Sequence, residues 1–189
     1  MTHISIILPV YNEEETIQKV HARVIKSLSP LKKTFEIIFV NDGSHDSTWD
    51  HAQALAKKDP HVKLINFTRN YGHQAAVTAG LEHATGEHIA ILDADLQDPP
   101  EVLPKFFKKL DEGYDVVYAI RQNRKEGVLK RTAYAGFYRL LKLISNIDIP
   151  LDSGDFCVMK LRVAKTMQTL PERNRFIRGI RSWVGYKQV

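Results

Sequence analysis

The chain has 189 residues, 43% of them hydrophobic and 26% charged, with one cysteine, Cys157; this describes one ordinary soluble domain and excludes an internal disulfide or a multi-cysteine zinc site, with a cytosolic setting the plain expectation. No apolar run reaches the roughly 18 residues of a membrane span, and residues 2–10 are too short and too soon followed by charge to be a secretory leader. The net charge of +5 is uneven: residues 1–120 carry 12 Lys/Arg against 17 Asp/Glu, and residues 121–189 carry 15 against 5, so the last third is either a solvated basic face or asks for phosphates, an acidic lipid surface or nucleic acid.

Residues 4–8 read as a short buried strand. Residues 14–28 have helical spacing through Ile17, Val20, Val24 and Leu28. Residues 35–40, apolar but for Glu36, read as a strand, and 47–57 as a helix with Asp46 as its N-cap. A strand follows at 62–67, a helix at 74–83 that ends by Gly86, a strand at 87–92, a helix at 101–110 and a strand at 114–119. Strands alternating with helices of this length predict right-handed βαβ units: an α/β chain, one Rossmann-like domain with a mostly parallel central sheet flanked by helices. After residue 120 the alternation fades. Residues 128–144 suit an amphipathic helix, with Leu129, Tyr134, Phe137, Tyr138, Leu141 and Ile144 on the apolar side and Lys130, Arg131, Arg139 and Lys142 around it. Such a helix packs on the domain or on a second subunit of a homo-oligomer, or lies on an anionic membrane. There are no internal repeats.

On parallel sheets ligands gather at the carboxyl ends of the strands. Polar clusters fall there in this chain: Tyr11, Asn12 and Glu13, then Asp42, then Arg69 and Asn70, then Asp93 to Gln97, then Arg121. If strand geometry persists, Asp93, Asp95 and Gln97 leave one face at spacings of roughly 6–7 Å. Three oxygen-bearing side chains so placed suit a hard divalent cation, Mg²⁺ or Mn²⁺, of the kind that also holds a phosphate. Neither G-x-G-x-x-G nor G-x-x-x-x-G-K-[ST] occurs, so a metal would have to carry any nucleotide phosphates. Asp-x-Asp by itself mostly marks a solvated loop; its position at a strand end, before Gln and Asp-Pro-Pro, gives it weight. Tyr11 can stack on a base and Glu13 accept hydrogen bonds from it, or Asn12 caps a helix whose dipole Glu13, Glu14 and Glu15 oppose. Asp42 either accepts from a base N–H or makes an ordinary Asp-Gly turn. His73 either starts a helix or faces the site, and the other histidines read as structural or exposed.

Four segments occur in order at fitting intervals: Pro9-Val10-Tyr11-Asn12-Glu13, Val40-Asn41-Asp42-Gly43-Ser44, Arg69-Asn70-Tyr71-Gly72 and Asp93-Ala94-Asp95-Leu96-Gln97-Asp98-Pro99-Pro100. Together they resemble the family-2 glycosyltransferases of GT-A fold. Within these the resemblance is to the polyprenyl-phosphate branch: dolichyl-phosphate mannose synthases, bactoprenol glucosyltransferases and undecaprenyl-phosphate aminoarabinose transferases. It covers essentially the whole chain. The resemblance implies that Pro9, Tyr11, Glu13, Asp42, Asp93 and Ala94 bind a nucleotide-sugar donor. It implies that Asp93, Asp95 and Gln97 hold Mg²⁺ or Mn²⁺ against the donor diphosphate, and that Arg121 reaches a donor or acceptor phosphate. Ser153-Gly154-Asp155-Phe156 resembles the family's stretch with a catalytic Asp, here Asp155, whose other reading is a turn carboxylate. Arg175-Phe176-Ile177-Arg178-Gly179 resembles the later Arg-rich stretch that grips phosphates, which makes Arg178 a catalytic candidate and Arg175 a phosphate contact. Arg131 is a weaker candidate for the acceptor phosphate. Arg175, Arg178 and Arg181 fall near one face if their stretch is helical; otherwise they are surface charges.

The function so implied is a metal-dependent, inverting transfer from a UDP- or GDP-sugar, UDP-glucose foremost, to a polyprenyl phosphate at the cytoplasmic face of a membrane. Residues 1–120 would be the donor half and 121–189 the basic acceptor side. A phosphate monoester loses its second proton near ~6, so the acceptor needs little base help and Asp155 can position rather than deprotonate. The alternatives are a family-2 transferase with a saccharide or protein acceptor and a nucleotide-binding module without turnover. Nucleic-acid binding explains the basic third but leaves the acidic motif without a task, so no nucleic-acid partner is expected. Members of the branch continue through two transmembrane helices; this chain ends at Trp183-Val184-Gly185-Tyr186-Lys187-Gln188-Val189, as the catalytic domain of such a protein or a relative without them.

Overall fold

Strand β1 (Ile4–Val10) is buried at every position. Its sequence is continuously apolar rather than alternating because helices cover both faces of the sheet around it. The one polar side chain within it, Ser5, donates from Oγ to Glu36 Oε1 at 2.5 Å. The computed structural model describes residues 2–120, 153–172 and 175–189; Arg121, Arg131 and the amphipathic stretch 128–144 lie outside them.

From β1 the chain runs through α1 (Ile17–Leu28), β2 (Phe35–Asn41), α2 (Thr48–Lys58), β3 (Val62–Asn66), α3 (His73–His83), β4 (His88–Ile91), α4 (Leu103–Asp111) and β5 (Val116–Ile120). Then come β6 (Ser153–Lys160), α5 (Leu161–Gln168) and α6 (Ile177–Trp183). The strands lie in the order β3-β2-β1-β4-β6-β5. Parallel ladders join β1 to β2 from Ile4↔Phe35 to Val10↔Asn41, β2 to β3, and β1 to β4 from Ile4↔His88 to Ile7↔Ile91. Strand β6 is antiparallel to both its neighbours. The expected class, α/β with a mostly parallel central sheet, is what is observed.

Alternate residues of the strands feed two cores. Ile4, Ile6, Leu8, Phe39 and Ala90 meet Val20 and Val24 of α1, Ala52 of α2 and Leu103 and Phe107 of α4. On the other face Ile7, Ile38, Val40, Ile89 and Ile91 meet Ala76, Val77 and Leu81 of α3, Val163 and Met167 of α5 and Ile177 of α6. Burying each large aliphatic side chain in these layers stabilises the fold by about 1.5–3 kcal/mol. Helix α3 lies so close to β1 that a Cβ on Gly80 would sit 2.3 Å from Ile7 Cγ2. That approach brings the first residues of α3 to the carboxyl edge of the sheet.

Strand β6 and helix α5 are not among the elements expected from the sequence. The strand bears on the site. Its core is the four-residue run Phe156-Cys157-Val158-Met159, whose side chains alternate between the two cores. A run this short suits a helix or a strand equally; the hydrogen-bonding slot between β4 and β5 decides it. The outer edge of β5 is covered by the chain end, where Val189 N–H donates to Val116 O at 3.1 Å and Tyr118 N–H to Val189 O at 3.0 Å. Pairing there removes an open edge that would otherwise invite another strand.

Candidate active site

The strand order reverses direction at β1, with β2 on one side and β4 on the other. Connections leaving β1 and β4 diverge, so a crevice opens at their carboxyl ends. A cavity of about 370 Å³ occupies it. Pro9, Tyr11 and Glu13 line it from β1, Asp42 from β2, Gly72 and His73 from the start of α3, and Asp93, Ala94 and Asp95 from the loop after β4. Every donor-side residue expected within the described part of the chain therefore meets in one space.

The loops that present these residues are tied to one another. Asn12 adopts a left-handed backbone, φ 56°, and does not cap α1, which starts only at Ile17 with no acidic residue in its first turn. The Asn12 Oδ1 instead accepts from His45 N–H at 2.9 Å, and Glu13 N–H donates to Thr48 Oγ1 at 2.7 Å. Asp46 is not the N-cap of α2 either; that position is Ser47, while Asp46 accepts from Thr48 N–H at 3.0 Å and Glu14 N–H at 3.2 Å. The Tyr11 ring stays 41% exposed, edge-on to His45, so a planar ligand can still stack on it. Asp42 is buried, and its two oxygens accept from Tyr71 N–H at 2.6 Å and Gly72 N–H at 2.9 Å. It thus holds the loop before α3 while keeping acceptor capacity toward the cavity. Gly43 permits this closeness: with φ +69°, a Cβ there would lie 2.4 Å from the Arg69 carbonyl carbon.

The acidic segment departs from the strand geometry expected of it. Strand β4 ends at Ile91, and Leu96 is left-handed with φ 66°. Asp95 Oδ1 accepts from Gln97 N–H at 2.9 Å, closing a tight turn. Asp93, Asp95 and Gln97 therefore do not leave one face of a continuing strand: Asp93 and Asp95 line the cavity, whereas Gln97 is exposed and outside its lining. Asp98, next along, is buried and accepts from Asp93 N–H at 3.3 Å. Burial above all, then the neighbouring carboxylates Asp98, Asp95 and Asp155, push the Asp93 carboxyl up to about 6 against the pull of His73. Negative charge crowded in this way, on oxygen donors alone, fits Mg²⁺ or Mn²⁺. Among the described residues no group of three or more His, Cys, Asp or Glu is set to enclose a metal ion. A cation here would complete its shell with ligand oxygens, as these ions commonly do with phosphates.

Asp155 is not a turn carboxylate but a residue of β6, half-buried beside the cavity. Being antiparallel, β6 starts where its neighbours end, which brings Asp155 to the ligand-binding edge. His73 Nε2 lies 3.4 Å from Asp155 Oδ2, and His73 Nδ1 lies 3.7 Å from Asp93 Oδ1. Arg178 Nε donates to Asp155 Oδ1 at 3.3 Å. Burial pushes the Asp155 carboxyl up, but His73 and Arg178 together outweigh it and hold the group well below the usual carboxylate range. The same contact with Asp155 raises His73 above its ordinary value, against the cost of burial. His73 thus faces the site as well as starting α3. Gln74, beside it, also reaches Asp155 and went unmarked in the sequence, because a lone glutamine at a helix start carries no chemical signature.

The remaining arginines divide. Arg175 precedes α6 and turns its guanidinium to the carbonyls of Gln168, Leu170 and Glu172. It lines a second hollow of about 650 Å³ outside α3, between Glu172 and Phe176, and not the first cavity. Arg181 is no surface charge: it is fully buried, 5.0 Å from the Tyr118 ring centroid, with Nη1 at 3.5 Å from Gly154 O.

A family model described as Glycosyl transferase family 2 matches residues 5–167. Among relatives, a Bacillus subtilis glycosyltransferase, YkcC, is 48% identical over 185 residues, covering 97% of this chain and 57% of the relative. An Escherichia coli K12 protein named as a prophage bactoprenol glucosyl transferase homolog is 45% identical, covering 97% of this chain and 60% of its own. The bactoprenol glucosyl transferase of Shigella phage SfX is 44% identical, covering 96% and 60%. The chain thus spans little more than half the length of the curated relatives it matches. In structure it is similar to the Pyrobaculum calidifontis mannosyltransferase PcManGT in complex with GDP-Man and Mn²⁺, with TM-score 0.71, 22% identity, and 99% of this chain and 54% of that one covered. It is also similar to the Mycobacterium tuberculosis glucosyl-3-phosphoglycerate synthase bound to Mn²⁺, UDP-Glc and phosphoglyceric acid, with TM-score 0.60, 23% identity, and 86% and 57% covered. These likenesses establish a common fold.

Proposed function

Because the chain belongs to glycosyl transferase family 2, we propose that it carries the active site of a metal-dependent, inverting glycosyltransferase. The donor is a nucleotide sugar, UDP-glucose foremost, and the acceptor a polyprenyl phosphate at the cytoplasmic face of a membrane. The observation that carries this reading is the cavity where Tyr11, Glu13, Asp42, Asp93 and Asp95 face one space at the β1/β4 switch point. Relatives named for bactoprenol glucosyl transfer support the acceptor, as does the basic excess of residues 121–189. Mn²⁺ and nucleotide sugars bound in proteins of the same fold support the cofactor and the donor class. Among the described residues no helix is long and apolar enough to cross a membrane.

In this reading the exposed Tyr11 ring stacks on the base, and Glu13 and Asp42 accept its hydrogen bonds. Asp93 and Asp95 would hold Mg²⁺ or Mn²⁺, which when bound neutralises charge on the departing diphosphate. The bond between the anomeric carbon and the diphosphate oxygen breaks as an acceptor phosphate oxygen bonds to the opposite face. The electron pair leaves with the nucleoside diphosphate, and the single displacement inverts the centre. The acceptor phosphate, with a second pKa of about 6, is largely ionised at neutral pH. Held well below the usual carboxylate range by His73 and Arg178, Asp155 stays ionised and is a poor proton acceptor, which supports an orienting role toward sugar or acceptor, with Arg178 supplying positive charge on the phosphate side. Arg121 and Arg131 are assigned to phosphates by resemblance, and Arg175 acts there only if it leaves its carbonyl partners.

Thermal-shift measurements with UDP-, GDP- and dTDP-sugars test the donor. The expected result is a rise in Tm with UDP-glucose that needs Mn²⁺ and disappears in EDTA; no rise with any nucleotide sugar overturns the reading. Transfer to undecaprenyl phosphate in detergent tests the acceptor, and full turnover on a water-soluble acceptor without phosphate overturns that part.

A further inference from the structure

Gln74 joins three elements that the sequence keeps far apart. Its Oε1 accepts from the backbone N–H of Ile177, the first residue of α6, at 2.8 Å. Its Nε2 is 3.4 Å from Asp155 Oδ2 on β6. Arg178, one residue beyond Ile177, donates to the other Asp155 oxygen at 3.3 Å. Helix α3 itself is pressed against β1 at Gly80, so the amide projects from an element that cannot slide.

We infer that Gln74 is a positioning residue for the transfer reaction, pinning the start of α6 so that Arg178 and Asp155 keep their mutual register. The amide suits this because it is acceptor and donor at once, and each end meets the complementary group. An N–H at a helix start has no partner within its own helix; here Gln74 supplies it. Asp155 is then held by His73 and Gln74 from α3 on one oxygen and by Arg178 from α6 on the other. Loss of the Gln74 bridge would let α6 shift relative to β6 without touching Tyr11, Glu13 or Asp95. The inference rests on the transferase reading for its catalytic consequence, but not for its structural one.

Two variants separate the halves of the bridge. Gln74→Leu loses both bonds. Gln74→Glu keeps an acceptor for Ile177 N–H and replaces the donor at Asp155 by a repelling carboxylate. Amide hydrogen exchange at Ile177, measured by NMR, should quicken about tenfold in Gln74→Leu and stay near wild type in Gln74→Glu. Turnover of UDP-glucose with a short polyprenyl phosphate should fall on the order of tenfold in kcat in both, with KM for the donor unchanged. Wild-type kcat in Gln74→Glu, or unchanged Ile177 exchange in Gln74→Leu, overturns the inference; so does a rise in donor KM that matches the loss of kcat/KM. If the wild-type chain transfers no sugar, the transferase reading fails, and Ile177 exchange alone supports or overturns the pinning of α6.

Discussion

Replacing Asp93 by Asn should make the metal-free protein more stable while removing its response to Mn²⁺. A carboxyl whose ordinary value is 3.8 is pushed to about 6 in the fold. The folded state therefore holds a proton that the unfolded chain has released between those values, and stability falls as pH rises through that window. Above about pH 7 the full ionisation cost corresponds to about 3 kcal/mol. The Asp93 side chain is 32% exposed, and solvent screening reduces this to roughly 1–2 kcal/mol. For a chain of this length that is a rise of roughly 2–8 °C in Tm. The Asn side chain has the same shape and no charge to bury. The assay is thermal unfolding of both proteins in EDTA at pH 7.5 and pH 4.5. At the lower pH wild-type Asp93 is largely protonated in the fold, so the gap should shrink to about a third. Added Mn²⁺ should raise the Tm of the wild type and leave Asp93→Asn unmoved. A less stable Asp93→Asn at pH 7.5, or a gap that does not shrink with pH, would refute the electrostatic account.

Asp95→Ala should abolish Mn²⁺-dependent binding of UDP-glucose in calorimetry with the fold retained, whereas Gln97→Ala, outside the cavity lining, should stay within about threefold of wild type; equal losses would show Gln97 to be a ligand beside Asp95. Gly43→Ala puts a side chain at φ +69° and against the Arg69 backbone, and should cost on the order of 2–3 kcal/mol in urea unfolding. An unchanged midpoint would show that the Asp42 and Arg69 loops are less tightly joined than their geometry implies.

Much of the architecture was legible in the sequence because local patterning and burial agree there. The runs at β1 and β2, apolar but for Ser5 and Glu36 and followed by turn residues, fit strands covered on both sides, and the spacing of Ile17, Val20, Val24 and Leu28 turns one helix face to a core. The polar residues at successive strand ends followed from the βαβ rule, since a parallel sheet delivers every such end to one edge. Less could be read where a side chain chooses between local partners. Asn12 and Asp46 look like helix caps, but Asn12 accepts from His45 N–H in the neighbouring loop, and Asp46, one residue ahead of the cap position, accepts from Thr48 N–H of α2 and from Glu14 N–H of the loop after β1. The even spacing of Asp93, Asp95 and Gln97 suggested one face, but the chain turns at Leu96 and separates the glutamine from the two carboxylates.

The sequence by itself determined the α/β class, the polar strand ends, and the pairing of an acidic motif with the lack of a glycine-rich phosphate loop. Those are set by periodicity and residue type, which act over a few residues. Only the tertiary structure decided that β6 enters the sheet antiparallel. That direction brings Asp155 to the same edge as Asp93 and lets His73 and Gln74, some 80 residues earlier in the chain, hold it beside Arg178. Contacts of that range are settled by which strand fits the open slot in the sheet, and no local pattern encodes it.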